Sequence, residues 1–104
     1  MLAKYINMAL SGSDSLIIRE SAQEKDELSE VIKITSTWTF SDGVIIRCIR
    51  EDELFSKAAN QCPECWINWT VVDDAGLPVS PEQKNFFNVC QQQFWLKKQL
   101  SSVM

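Results

Sequence analysis

Two cysteines separated by two residues are the first pattern in this 104-residue chain that could support chemistry. Cys62 and Cys65 have the spacing at which two thiolates chelate zinc, so a small zinc-binding module built on them is one open hypothesis. The other two cysteines, Cys48 and Cys90, fall in a predicted strand and on the apolar side of a predicted helix, where cysteine usually packs as a small apolar residue. We therefore expect unligated thiols in a reducing compartment and no bound metal.

A redox function would place such a cysteine pair at the start of a helix, whereas Cys65 leads directly into a strand-like segment. Other catalytic groups are scarce. The chain has no histidine, which removes the commonest general base, and its three glycines cannot form a P-loop or a dinucleotide-binding motif. The adjacent acids at 51–53 and 73–74 are typical of solvated turns. We expect a protein that is not an enzyme and uses no cofactor.

The tryptophans are more informative. Trp66 and Trp69 lie three residues apart in a predicted strand, so their side chains must point to opposite faces of a sheet. One helix covers only one face, and the other tryptophan needs cover from the N-terminal segment or from another molecule. Trp95 projects away from the apolar side of the predicted C-terminal helix. Because tryptophan is enriched at binding hot spots, Trp95, Trp66 and Trp69 are the predicted partner-binding residues.

A β-hairpin is the element that should position these groups. Segments 31–40 and 44–50 are rich in β-branched and aromatic residues, and Gly43 between them supplies the positive φ of a tight turn. A three-residue loop predicts that Phe40 pairs with Val44, Trp38 with Ile46 and Ser36 with Cys48. This register gathers the bulky side chains on one face. Residues 66–72 predict a further strand, followed by a turn at 73–76.

The N-terminal part of the chain predicts two short strands, Tyr5–Leu10 and Ser15–Arg19, joined by a turn at 11–14. The acidic stretch 20–30 suits a solvated connector, and 51–60 suits a brief helical turn.

A helix is predicted from Pro81 to about Leu100. Ser80 as the N-cap, Pro81 in the first helical position and Gln83 three residues after the cap form a capping box. The apolar side that should face the sheet contains Phe86, Phe87, Val89, Cys90, Phe94, Leu96 and Leu100. These elements predict a single α+β domain over residues 1–104, with an antiparallel meander of three to five strands and one C-terminal helix packed on one face.

The net charge limits the kinds of partner that the chain can bind. A net charge of −4 opposes non-specific binding to nucleic acid and to anionic membrane surfaces. The chain has no apolar run of the ~20 residues that span a bilayer and no signal peptide, so we expect a cytoplasmic protein.

The leading hypothesis is a small non-enzymatic binding or regulatory protein that acts through protein–protein contacts or self-association. One alternative is an acidic inhibitor that mimics nucleic acid on a basic partner, with the carboxylates of 20–30, 51–53 and 73–74 standing in for phosphates. The other alternative is the zinc-binding module that uses Cys62 and Cys65.

Overall fold

The structure, a computed structural model, describes residues 1–12, 16–26, 28, 31–53 and 65–101. In chain order it contains α1 (Leu2–Ser11), β1 (Leu16–Asp26), β2 (Val31–Phe40), β3 (Ile45–Glu53), β4 (Trp66–Asp73), β5 (Gln83–Phe86) and α2 (Val89–Ser101). The strands form one antiparallel sheet in the order β1-β2-β3-β4-β5. The predicted α+β class, an antiparallel meander with a C-terminal helix, is confirmed. The helical turn predicted over 51–60 is wrong at 51–53, because these residues pair with β2 as the end of β3. The predicted turn at 13–14, the rest of the helical turn at 54–60 and the cysteine turn at 62–64 lie outside the described residues.

The β2–β3 hairpin has the predicted register. Trp38 pairs with Ile46 and Ser36 with Cys48, and the Phe40 N–H donates to the Val44 carbonyl at 2.9 Å. Gly43 has a φ of 93°, which a side chain would strain. The five side chains predicted to share a face are all buried: Trp38, Phe40, Val44, Ile46 and Cys48. Local turn chemistry and strand alternation therefore specify this hairpin.

Helix α1 occupies the segment where the sequence predicted a strand at Tyr5–Leu10, and that prediction is wrong. The apolar residues recur at the three- and four-residue spacing of a helix, and one stripe of them is buried: Leu2, Ala3, Tyr5, Ile6 and Ala9. Gly12 ends the helix in the left-handed conformation, with a φ of 73°, and donates its N–H to the Met8 carbonyl at 3.0 Å.

Strand β1 begins near the predicted strand at Ser15–Arg19 but continues to Asp26, so the solvated connector expected from residue 20 is wrong over that range. After a register shift between Leu16 and Ile18, its residues pair one by one with β2 as far as Asp26 opposite Val31. Hydrogen bonds to β2 hold the segment extended although few apolar side chains are present. An exposed strand at the edge of a sheet carries little hydrophobic signal in its sequence.

The C-terminal helix begins eight residues later than predicted, at Val89, and residues 83–86 form β5. The Glu82 carbonyl accepts the Val71 N–H at 2.8 Å, and the Ser80 carbonyl accepts the Leu2 N–H at 3.0 Å. These backbone groups hold residues 80–86 against β4 and α1. The Ser80 capping box is therefore overridden by tertiary hydrogen bonds.

A second N-cap starts α2. The Asn88 side-chain oxygen accepts the Gln91 N–H at 2.7 Å, and the Gln91 side-chain oxygen accepts the Phe87 N–H at 2.8 Å. Asparagine at the N-cap with glutamine three residues later resembles a capping box.

Both helices pack on the same face of the sheet. The core between them and the sheet contains large buried side chains that include Leu2, Ile6, Phe40, Trp69 and Leu96. The N-terminal segment therefore does not cover the second face, which was one of the two expected arrangements. Neither described helix is long and apolar enough to cross a membrane.

Candidate interaction surface

The face of the sheet turned away from α1 and α2 is called the open face below. Side chains alternate between faces along each strand, so the strand registers define its members. From β1 to β5 they include Glu20, Ala22 and Glu24, Lys33, Thr35 and Thr37, Arg47 and Ile49, Trp66, Asn68 and Thr70, and Gln83 and Asn85. No helix or strand among the described residues covers this face.

An exposed aromatic pair lies at one corner of the open face. Trp66 is 60% exposed and Phe87 is 46% exposed. Their rings meet edge to face, with centroids 5.0 Å apart and an interplanar angle of 72°. The Cys65 N–H donates to the Phe87 carbonyl at 2.9 Å and fixes the two backbones beside each other. The Trp66 ring is thus held in place while more than half of its surface stays in water.

The rest of the open face carries many polar side chains together with the apolar residues Ile18, which is 48% exposed, Ala22, Ile45 and Ile49. Thr70 donates its hydroxyl hydrogen to the Asn68 side-chain oxygen at 2.8 Å, and the Asn68 amide donates to Asn85. Arg47 lies over Thr37, with its Nε–H directed at the hydroxyl oxygen at 3.4 Å. A shallow depression of about 400 Å³ crosses β1, β2 and β3, lined by Glu20, Ser21, Ala22, Thr35, Thr37, Arg47 and Ile49. The surface therefore combines one aromatic corner with a broad area of hydrogen-bonding groups.

Trp69 lies on the opposite face from Trp66, as the three-residue spacing predicted. It is 1% exposed and stacks on Trp38 with ring centroids 5.2 Å apart. Its indole N–H donates to the side-chain oxygen of buried Gln92 at 2.8 Å. Of the two tryptophans in β4, only Trp66 therefore presents a surface to a partner.

Trp95 is placed differently from the sequence prediction. It is partly buried against the core and packs on Phe86, with ring centroids 5.6 Å apart. Lys84 Nζ lies 5.8 Å from the Trp95 ring centroid. Phe94, predicted to face the sheet, is instead 64% exposed. The predicted apolar side was displaced because it included Phe86 and Phe87, which precede the helix.

The sequence did not predict the roles of Gln92 and Phe87, which position Trp69 and Trp66. Gln92 was assigned to the polar side of the helix, yet it is 5% exposed because it supplies the acceptor that buried Trp69 needs. A buried tryptophan needs an acceptor for its indole N–H, and this need is the sequence signal that could have predicted the burial of Gln92. Phe87 was assigned to the helix, and only the position of β5 places it beside Trp66.

The cysteines do not form an assembled reactive site within the described ranges. Cys48 and Cys65 are buried free thiols. Burial raises the pKa of Cys48 to about 12 and also raises the pKa of Cys65, so both are protonated at neutral pH. Cys90, expected in the core, is exposed and disulfide-bonded. Cys62 lies outside the described residues, and among those described no three His, Cys, Asp or Glu side chains form a metal-binding group.

The Tyr5 hydroxyl connects α1 to the β2–β3 turn by donating a hydrogen bond to Asp42. Burial of Tyr5 and its bond to the carboxylate raise the pKa of Tyr5 to about 12. The same hydrogen bond, helped by the Val44 N–H, lowers the pKa of Asp42. This contact is far from the open face, and we assign it to stability.

Comparisons with protein-family models, with curated proteins and with solved structures found no match for this chain.

Proposed function

We propose that this chain is a non-enzymatic binding protein that contacts another protein through the open face, with Trp66 as the anchor. The observation that carries the proposal is a tryptophan that is 60% exposed, packed edge to face on Phe87, at the corner of the sheet face that no described helix covers.

The geometry of Trp66 suits a binding anchor. A large aromatic side chain contributes the most affinity when it becomes buried on binding and loses little conformational freedom. Contact with Phe87 already restricts the Trp66 ring in the free protein, so burying it costs little additional entropy. An exposed tryptophan without such support would lose more freedom on binding.

The composition and size of the open face fit a non-obligate interface. Five strands spaced ~4.8 Å apart, with on average about four outward residues per strand and two on the short β5, give roughly 600 Å² on one side, somewhat below the ~800 Å² of a standard protein interface. Hydroxyl, amide and charged side chains surround the aromatic corner, and a polar rim around an aromatic anchor is the usual arrangement.

A non-enzymatic function is supported by the absence of histidine from the chain and by the raised pKa values of the thiols of Cys48 and Cys65, which make them poor nucleophiles.

The cytoplasmic location expected from the sequence stays a prediction. The disulfide at Cys90 weighs against it, because cytosolic thiols are kept reduced. Thiol labelling of protein isolated from its own cells tests this point.

The test of the binding proposal compares Trp66→Ala with Phe94→Ala. Both residues are exposed aromatics, at 60% and 64%, but Phe94 lies on α2 away from the open face. Each variant and the wild-type protein are used for affinity purification from native cells with quantitative mass spectrometry, after circular dichroism has shown that all three are folded. We expect Trp66→Ala to lose at least one specific partner that Phe94→Ala retains. Identical partner sets for all three proteins would reject the open face as the binding surface.

A further inference from the structure

Strand β1 presents a long edge that is not paired with any other described strand. It spans Leu16–Asp26, about 35 Å of extended backbone, and pairs with β2 on one side only. Its central residues, 21–25, are exposed on both faces of the sheet. No described strand or helix lies along its other side. A strand edge of this length is a template for pairing with another extended chain.

The strand register shows which backbone groups point outward. The Phe40 N–H donates toward β3, and successive residues of a strand alternate direction, so Thr37 and Thr35 point toward β1. Their partners Glu20 and Ala22 therefore use their backbone groups within the sheet. The outward-pointing N–H and C=O groups belong to the intervening residues of β1: Arg19, Ser21, Gln23 and Lys25.

The charges of β1 form a symmetric pattern around Ala22. Reading from Arg19 to Lys25, the order is base, acid, three uncharged residues, acid, base. β2 places Trp38 opposite Arg19, Thr37 opposite Glu20 and Ile32 opposite Lys25, whereas Glu24 faces Lys33. Three of the four charged residues therefore face no opposite charge across β2 and can face one on a chain that pairs with the outer edge.

This pattern opposes pairing with a second copy. In an antiparallel dimer centred on Ala22, Arg19 would face Lys25 of the other copy and Glu20 would face Glu24, and like charges directly opposite are destabilising. Centring the pair on Ser21 instead places the apolar residues at 16–18 opposite the charged residues at 24–26. Both central registers are unfavourable, as expected of an edge protected against self-association.

We infer that the outer edge of β1 accepts an extended segment of a different protein, paired antiparallel, with the charge order acid, base, three uncharged residues, base, acid. Each of the four charged residues from Arg19 to Lys25 then faces an opposite charge, and the outward backbone groups gain hydrogen-bond partners. The inference rests on the proposed function in that the chain binds a protein, but it uses a surface other than Trp66.

The first experiment measures binding of two labelled peptides by fluorescence anisotropy. One has the core Glu-Lys-Thr-Val-Thr-Lys-Glu, and the other has the same composition with the charges exchanged, Lys-Glu-Thr-Val-Thr-Glu-Lys. We expect the first to bind at least about tenfold more tightly, because four facing pairs change from attractive to repulsive. Equal affinities, or no binding of either peptide, would overturn the inference.

The second experiment tests the edge itself with a matched pair of variants. Gln23→Pro removes one outward N–H without removing a hydrogen bond to β2, whereas Gln23→Ala keeps that N–H. We expect Gln23→Pro to lose at least about tenfold in affinity for the first peptide and Gln23→Ala to bind like the wild type. A folded Gln23→Pro protein with unchanged affinity would exclude the edge as the site.

A variant with two charges exchanged in place tests the same pairing if Gln23→Pro fails to fold. Arg19→Glu and Glu20→Arg together leave the net charge unchanged and face Trp38 and Thr37 across β2, whereas Glu24→Lys would face Lys33. This protein should bind the two peptides with similar affinity, because each peptide then makes two attractive and two repulsive pairs. An unchanged preference for the first peptide would contradict the proposed pairing. Trp66→Ala should leave peptide affinity unchanged, so failure of the open-face proposal and failure of the edge proposal give different results.

Discussion

At the scale of single residues, the Tyr5 hydroxyl is the clearest polar link between α1 and the sheet. The Tyr5 ring packs against Phe40 with centroids 5.2 Å apart, and the hydroxyl bonds to Asp42. Tyr5→Phe keeps the ring and removes the hydrogen bond. We expect it to lower the free energy of unfolding at pH 7 by about 1 kcal/mol, measured by urea denaturation. Unchanged stability at pH 7 would mean that the bond contributes nothing.

The same variant should change how stability depends on pH. The pKa of Tyr5 is raised to about 12, so its contribution to stability is complete below about pH 10 and is lost as the pH rises toward 12. The pKa of Asp42 is lowered, so its contribution is present above the ordinary carboxyl pKa and is lost as the pH falls through the lowered value. The difference between wild type and Tyr5→Phe should therefore be largest near neutrality. A constant difference from acid to alkaline pH would contradict this linkage.

At the scale of secondary structure, the start of α2 gives a direct test. Asn88→Ala removes the oxygen that accepts the Gln91 N–H, and we expect a loss of about 1 kcal/mol in the free energy of unfolding. Ser80→Ala is the matched control, because Ser80 is exposed and precedes β5. It should cost less than about 0.5 kcal/mol. The reverse order of effects in urea denaturation would show that the helix begins at Pro81 after all.

The contact between α2 and the sheet depends on a buried amide. Gln92→Met keeps a side chain of similar length but leaves the Trp69 indole N–H without its acceptor. An unsatisfied buried donor costs about 1–3 kcal/mol, so we expect a loss of that size. Trp69→Phe removes the donor as well, and the double variant should be less destabilised than the sum of the two single changes. Strict additivity in urea denaturation would show that the two side chains are not coupled.

The elements differ in how far their sequence determines them. The β2–β3 hairpin followed from local chemistry, since Gly43 sets the turn and alternation sets the buried face. Two capping signals compete before α2, at Ser80 and at Asn88, and the backbone bond between Val71 and Glu82 decides between them. That bond joins a residue of β4 to the residue just before β5, 11 positions along the chain, so a local pattern does not reveal it.

The candidate surface, like the secondary structure, could be predicted from the sequence only in part. The spacing of Trp66 and Trp69 required one of them to face away from the core, and this was confirmed. Which face the helices cover is set by the packing of α1 and α2 together, and α1 was not expected. The predicted orientation of Trp95 depended on where α2 begins. Because the helix start was predicted eight residues too early, Trp95 was placed on the side away from the core, whereas it packs partly against the core.

At the scale of the whole molecule, the core lies on one side of the sheet. Two helices bury the hairpin face, while none of the described helices or strands covers the open face or the outer edge of β1. The two proposed binding surfaces therefore adjoin, one formed by side chains and one by backbone. Thr35 and Thr37 on β2 lie next to the edge strand, so a segment paired with β1 would extend the open face by one strand.

Hydrogen exchange followed by NMR tests whether that edge is free in solution. Along β1 we expect slow exchange for the amides directed toward β2, those of Glu20, Ala22 and Glu24. The intervening amides of Ser21 and Gln23 should exchange at rates near those of an unstructured chain, because no described residue accepts them. Protection of both sets would mean that another chain covers the edge, and a dilution series would show whether that chain is a second copy. Alternating protection that is independent of concentration would establish the open edge that the peptide proposal requires.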